Sequence, residues 1–378
     1  MDFTYDEEQQ ALREAVRGLA GKAYSDFENR RQSVAEDPGF SEKVWTQLAE
    51  MGVLGLPFDE EYGGMGAGAI EVGIVAQELG RVLAPEPFLT SVVLAGGLVA
   101  AAGSPEQKTE LLGGLSAGET VLAFAHAEPG SRWAPTASKV TASESDGAWT
   151  LTGVKEPVIQ GARADVLVVS AALPDGGTGL FVIAGADAER SGYSTHEGGR
   201  AAKVTFDGTV ATALGGGGDA TAVITAVQDI ARITACNEAV GLMEVCLEVT
   251  SEYLKSRKQF GVPLSTFQSL TFRAADMYVS LELARSMAVW ATMVLAEGSA
   301  DDVAVAASRA ALQVSRAGRH IGQEAIQLHG GIAMTAEYSI GSYTSRLTAL
   351  DHLFGDGHHH LGQLVAGVGG YDEVDPLP

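Results

Sequence analysis

Leu214-Gly215-Gly216-Gly217-Gly218-Asp219 is the stretch on which the reading of this 378-residue chain turns. Four consecutive glycines bring no side chain to a core and have the greatest backbone freedom, so they read as a flexible joint. The sequence period differs on its two sides. Before the joint, from about 121, come short β-rich runs: Lys139-Val140-Thr141-Ala142, Trp149-Thr150-Leu151-Thr152, Asp165 to Val169, Leu180 to Ile183 and Lys203 to Phe206. Turn pairs such as Asp146-Gly147 and Asp207-Gly208 divide them, the pattern of a small antiparallel barrel or sandwich. After the joint the spacing is helical. Ala222 to Arg257 runs without proline; Ser265 to Glu297 follows, with Ser265 and Gln268 placed as a capping box. Asp301 to His329 stops at Gly330, and a last segment covers Glu337 to about Ala366. Four long helices on short connections predict an antiparallel bundle.

Upstream of about 120 the chain is again helical. Asp6 to Tyr24, Ser41 to Met51 and Ile70 to Leu83 carry helical apolar spacing, and Phe88 to Gly103 reads as a buried helix too short to span a bilayer. The expected fold class is therefore α+β, with an N-terminal helical domain (1–120), a middle antiparallel β-barrel or sandwich domain (121–218) and a C-terminal four-helix bundle (219–378).

Composition narrows the function. Apolar residues at 46% are enough for a large interior, and charged residues at 19% argue against disorder. A net charge of −23 excludes a nucleic-acid partner, which needs clustered Lys and Arg, and gives no attraction to anionic lipid. Cys236 and Cys246 lie ten residues apart on one helix, about 15 Å, too far for a disulfide, so both are expected to be buried small hydrophobes in a reducing compartment. Met1-Asp2-Phe3 lacks the basic region and apolar core of a signal peptide, and a cytoplasmic location is expected. His358-His359-His360 are not expected to bind a metal, because consecutive helical residues point about 100° apart.

Three further stretches stand out: Gly52 to Pro57 followed by Glu61-Tyr62-Gly63-Gly64; Tyr253 to Gly261 with Phe267-Gln268; and Gln327-Leu328-His329-Gly330-Gly331. In this order, and over nearly the whole chain, they resemble the acyl-CoA dehydrogenase family. The resemblance implies FAD as cofactor, an acyl-CoA substrate and electron-transferring flavoprotein as acceptor. It also implies that Arg257, Phe260, Gln268, Gln327, Gly330 and Gly331 serve a flavin bound mainly by a neighbouring subunit. The chemistry agrees: a guanidinium suits a pyrophosphate, amides suit phosphate or adenosine, and glycine allows close backbone approach.

The chain departs from the family where the flavin ring and the base should be. The Thr-Glu-Pro stretch leading to Gly-Ser-Asp becomes Ala127-Glu128-Pro129-Gly130-Ser131-Arg132-Trp133. The following strand reads Pro157-Val158-Ile159-Gln160-Gly161, without the usual Trp or hydroxyl. Of the family's two positions for the catalytic Glu, one matches Gly355 in Phe354-Gly355-Asp356-Gly357 and the other Ala231 before Arg232. Nearby carboxylates are Asp356, one residue out of register, and Glu238, about 10 Å further along the helix axis from Ala231; a surface or structural role is the expectation for both. The chain thus resembles the smaller, non-catalytic-type subunit of α2β2 bacterial acyl-CoA dehydrogenases of steroid side-chain breakdown. A second acyl-CoA dehydrogenase subunit would supply the base. The alternatives are a homotetramer with an atypical base and a flavin-free structural homologue.

Overall fold

The computed structural model describes residues 5–368; Met1-Asp2-Phe3 and the end of the third region, 369–378, lie outside them. Six α-helices open the chain: α1 (Glu7–Ala23), α2 (Phe27–Ala35), α3 (Glu42–Glu50), α4 (Ala69–Arg81), a π-helical segment (Phe88–Gly96) running into α5 (Gly97–Ala102), and α6 (Pro105–Ser116). Their starts follow from capping chemistry. The Asp6 carboxylate accepts the Gln9 backbone N–H at 2.8 Å and the Gln9 side chain returns to the Asp6 N–H; Ser104, Pro105 and Gln107 do the same for α6.

Seven strands follow: β1 (Leu122–Ala125), β2 (Thr141–Ser145), β3 (Ala148–Ile159), β4 (Val166–Ala172), β5 (Thr178–Ala184), β6 (Glu189–Ser194) and β7 (Arg200–Ala213). The order β4-β2-β3-β7-β5 closes on itself through β4–β5, forming the small barrel, with β6 paired outside β7. Two pairings depart from the antiparallel expectation: β1 runs parallel to β4 from Leu122↔Val166, and β2 meets β4 in parallel at Thr141↔Ala172. Phe181, Phe206, Leu151 and Leu167 fill the interior. The fully buried Lys155 donates to Glu128 Oε1 at 2.9 Å and to Ser170 Oγ at 3.1 Å.

The remaining helices are α7 (Thr221–Ser256), α8 (Gln268–Glu297), α9 (Ala300–His329), α10 (Ser339–Leu353) and α11 (Gly357–Ala366), with a β8–β9 hairpin (Lys258–Gln259, Val262–Pro263) between α7 and α8. Three details differ from the sequence reading. Helix α8 begins at Gln268 without a side-chain cap, because a 3₁₀ turn over Leu264–Thr266 holds Ser265 outside it, where its carbonyl accepts the Thr271 hydroxyl. The last segment is two helices, broken at Phe354–Asp356. The glycine joint is pinned: Gly215 N–H donates to Gln107 Oε1 at 2.8 Å, and a Cβ there would lie 1.9 Å from the Ala102 carbonyl oxygen.

Cys236 and Cys246 are free and buried on α7, and burial pushes each thiol up to about 12. Helix α8 is long and apolar enough, by length and composition alone, to cross a membrane. Its outward stripe of Phe272, Val279 and Leu283 is 59%, 54% and 55% exposed.

Helix α7 crosses α4 at backbone contact. A Cβ on Gly241 would sit 2.1 Å from the Gln77 carbonyl oxygen, and one on Gly80 2.3 Å from that of Glu238. Overpacking of a tight contact typically costs about 1–3 kcal/mol. Gly241→Ala is expected to destabilise the protein by at least that much in chemical denaturation. Gly18→Ala on α1, where a Cβ meets nothing within 4 Å, should be neutral or slightly stabilising.

Candidate cofactor-binding site

The residues of the second and third motif stretches gather at one end of the bundle. Arg257 is the residue after α7, its N–H donating to Tyr253 O at 2.8 Å. Tyr253 packs against His329 at the end of α9, with ring centroids 4.4 Å apart, and His329 packs against Tyr338 at 5.2 Å. The start of α8 joins the same corner: Arg273 pairs with Glu324 of α9 at 2.5 Å. That places Gln268, about a turn before Arg273, near Gln327 and the Gly330-Gly331 turn.

Arg257, Gln268, Gln327, Gly330 and Gly331 are all exposed. No hydrogen bond or ion pair engages the side chains of Arg257, Gln268 or Gln327 among the described residues. Phe260, at the hairpin tip, is 91% exposed and has φ +54°, an uncommon conformation for a bulky residue. Gly330 turns the chain at φ +69°, which favours glycine, whereas a Cβ on Gly331 would meet no atom within 4 Å. Nothing among the described residues requires glycine at 331. A guanidinium, two amides and an open glycine backbone on one exposed corner fit a phosphate-bearing cofactor approaching from outside.

The matching ring half-site of this chain is internally committed. Both Glu128 oxygens are taken by Lys155 and by the backbone N–H groups of Ser138, Lys139 and Val140. Burial alone would raise this carboxyl, but these donors outweigh it and hold it down at about 2. Trp133 crosses to the bundle, donating Nε1–H to the His352 carbonyl at 2.9 Å and packing 5.3 Å from the His359 ring. Gln160 is buried, at φ +58°, and its Oε1 has no partner among the described residues.

The base positions are equally closed. A Cβ on Gly355 would lie 2.5 Å from His359 Cδ2 and 2.9 Å from His360 Nε2. Ala231 is fully buried, and Arg232 holds the Phe354 carbonyl at 3.0 Å. Glu238 is brought to the junction of all three regions, where it accepts Arg346 Nε–H at 2.7 Å; Arg346 Nη1 also donates to Glu197 at 2.8 Å. Burial opposes the Arg346 charge, but these two carboxylates outweigh it and keep it firmly cationic. Asp356 caps α11 by accepting the His359 N–H at 2.8 Å, which holds its carboxyl below the ordinary value. No sequence motif flags Arg346 or Glu197.

Residues 6–119 match the acyl-CoA dehydrogenase N-terminal domain model and residues 220–368 the C-terminal domain model. The chain belongs to the acyl-CoA dehydrogenase family. This is a family of oxidoreductases acting on CH–CH bonds. Its relatives include the acyl-CoA dehydrogenase IpdE2 of Mycobacterium tuberculosis, 32% identical over 91% of this chain and 92% of the relative. Two solved structures are also similar. A variant of the Tcur3481–Tcur3483 steroid acyl-CoA dehydrogenase is 30% identical, covers 97% of this chain and 99% of that one, and has TM-score 0.86. The ChsE4–ChsE5 complex of Mycobacterium tuberculosis is 25% identical, covers 99% and 100%, and has TM-score 0.88.

An ion-paired Glu238 and a helix-capping Asp356 are poor acceptors of a substrate proton. Glu238→Gln and Asp356→Asn are each expected to leave turnover of the native assembly within a small factor, while Glu238→Gln lowers Tm by weakening the Arg346 bridge. Loss of a working general base would instead cut turnover by roughly 100-fold or more.

Proposed function

We propose that this chain is a cytoplasmic subunit of an FAD-dependent acyl-CoA dehydrogenase that completes its partner's flavin site in an α2β2 assembly. Its three domains are 1–120, 121–218 and 219–378. One contrast carries the reading. The residues suited to a flavin nucleotide are exposed at the bundle end, whereas in the stretches that match the family's ring and base positions Glu128 is held by Lys155 and Gly355 is crowded by His359. Bound FAD supplies the oxidant for α,β-desaturation of an acyl-CoA thioester, passing electrons on to electron-transferring flavoprotein. Within this chain, Arg257 binds the pyrophosphate, Gln268 and Gln327 orient the nucleotide, and Gly331 admits it against the backbone. Phe260 packs on the partner. The partner provides the carboxylate that takes the α-proton.

The exposed stripe of α8 supports the same assembly. Phe272, Val279 and Leu283 lie on one helix face; Phe260 in the hairpin before α8, and Ile332 and Met334 just after α9, are exposed apolar residues as well, the last 74% exposed. An apolar surface of this extent suits an obligate interface, which typically buries more than about 2,000 Å². A self-sufficient homotetramer is disfavoured because the family's two base positions hold Ala231 and Gly355, and the nearby Glu238 is ion-paired to Arg346.

The direct test is Arg257→Ala in the co-expressed complex. Loss of a charge-assisted contact to the pyrophosphate is expected to weaken FAD retention by about 1.5–3 kcal/mol, read as flavin occupancy after gel filtration. Unchanged occupancy and affinity would remove Arg257 from the site.

A further inference from the structure

Glu86 lies in the Ala84-Pro85-Glu86-Pro87 link between α4 and the π-helical segment, and the flavin site proposed above makes no use of it. It is 6% exposed and lines a cavity of ≈ 60 Å³ where the three regions meet. One carboxyl oxygen, Oε1, accepts the Tyr24 hydroxyl at 2.5 Å and the Ser41 N–H at 3.3 Å, tying the end of α1 and the start of α3 to this link. The other, Oε2, is buried without a partner among the described residues.

The surrounding charges are committed elsewhere. Arg30 of α2 donates to the Leu83 carbonyl at 2.9 Å and the Glu197 carbonyl at 3.3 Å. Arg200 of β7 pairs with Asp37 at 3.1 Å. Arg346 of α10 is bound by Glu197, from the β6–β7 turn, and by Glu238 of α7. Tyr24 and these six groups are the titratable or charged neighbours of Glu86 around the cavity, and no guanidinium among the described residues bonds its carboxyl.

We propose that Glu86 is a proton-operated clamp between the N-terminal helices and the rest of the molecule, firm when its carboxyl is neutral and slack when it ionises. A neutral carboxyl keeps both the Tyr24 and Ser41 contacts. An anion confined with the same two donors and no counterion costs desolvation that they do not repay. Burial accordingly pushes this carboxyl up to about 7 from an ordinary 4.5, against the lowering influence of Tyr24, of backbone N–H groups including that of Ser41, and of Arg30. Because the folded value lies above the unfolded one, the stabilisation is complete at acid pH, below the unfolded value. It is lost as pH rises through about 7.

The test follows Tm of the native assembly between about pH 5.5 and 8.5, for wild type and Glu86→Gln, whose amide stays neutral. The wild-type Tm should fall relative to the variant as pH rises from about 5.5 to about 7 and run parallel to it above that, with faster amide exchange over 24–41 at the higher pH in wild type alone. Parallel Tm curves would overturn the clamp. Tyr24→Phe provides a second arm should Glu86→Gln fold poorly. Removing the donor that favours the anion should move the wild-type transition to higher pH; an unmoved transition would also overturn it. Neither arm depends on flavin content, so failure here is distinguishable from failure of the subunit assignment.

Discussion

The crossing of α4 on α7 is the constraint on which the rest of the structure depends. Gly80 and Gly241 let the two helices touch backbone to backbone, with no room for a Cβ on either side. Charges then seal the seam: Glu244 of α7 is held by Arg81 of α4 and by Arg285 of α8. With the N-terminal helices seated so closely, the β6–β7 turn is drawn between α2 and α10, where Glu197 meets Arg346 and the Arg30 side chain. The space between the three regions becomes an ionic junction around a small cavity.

This arrangement separates two surfaces with opposite character. Inside, two sets of buried charges are matched: Lys155 with Glu128, and Arg346 with Glu197 and Glu238. Such pairs add little net stability over a hydrophobic alternative, but removing one partner is costly, so they fix one arrangement of the parts. At the far end of α7, the side chains of Arg257, Gln268 and Gln327 remain without partners among the described residues, beside the uncovered face of α8. Those buried ion pairs are satisfied within the chain; the polar side chains at the bundle end are not.

Much of this was legible in the sequence, for local reasons. Asp6 with Gln9 and Gly330 at the end of α9 announce helix termini through interactions within one turn. The motif around Arg257 and that around Gln327 could be placed because each is contiguous. What escaped is non-local. Leu122–Ala125 is four buried apolar residues with no alternation, and Glu189–Ser194 is too polar to read as a strand. The Ser265 capping box has the right spacing, but the preceding hairpin and 3₁₀ turn place it outside the helix. Glu238 reads as a stray carboxylate in the sequence because its partner, Arg346, lies 108 residues away. The departures at Ala127-Glu128-Pro129 and Gly355 were visible as missing groups; that Lys155 ties down Glu128, Trp133 crosses to the bundle and His359 crowds Gly355 could only be seen in three dimensions.

The central claim is that the outward-facing bundle end completes a flavin site belonging to another chain. Native mass measured together with flavin-to-protein stoichiometry tests it most directly. Expressed alone, the chain should be poorly soluble or flavin-free and inactive; with its partner it should form a tetramer of two copies of each chain carrying two FAD molecules. A homotetramer of this chain alone that binds four flavins and oxidises an acyl-CoA would contradict the account.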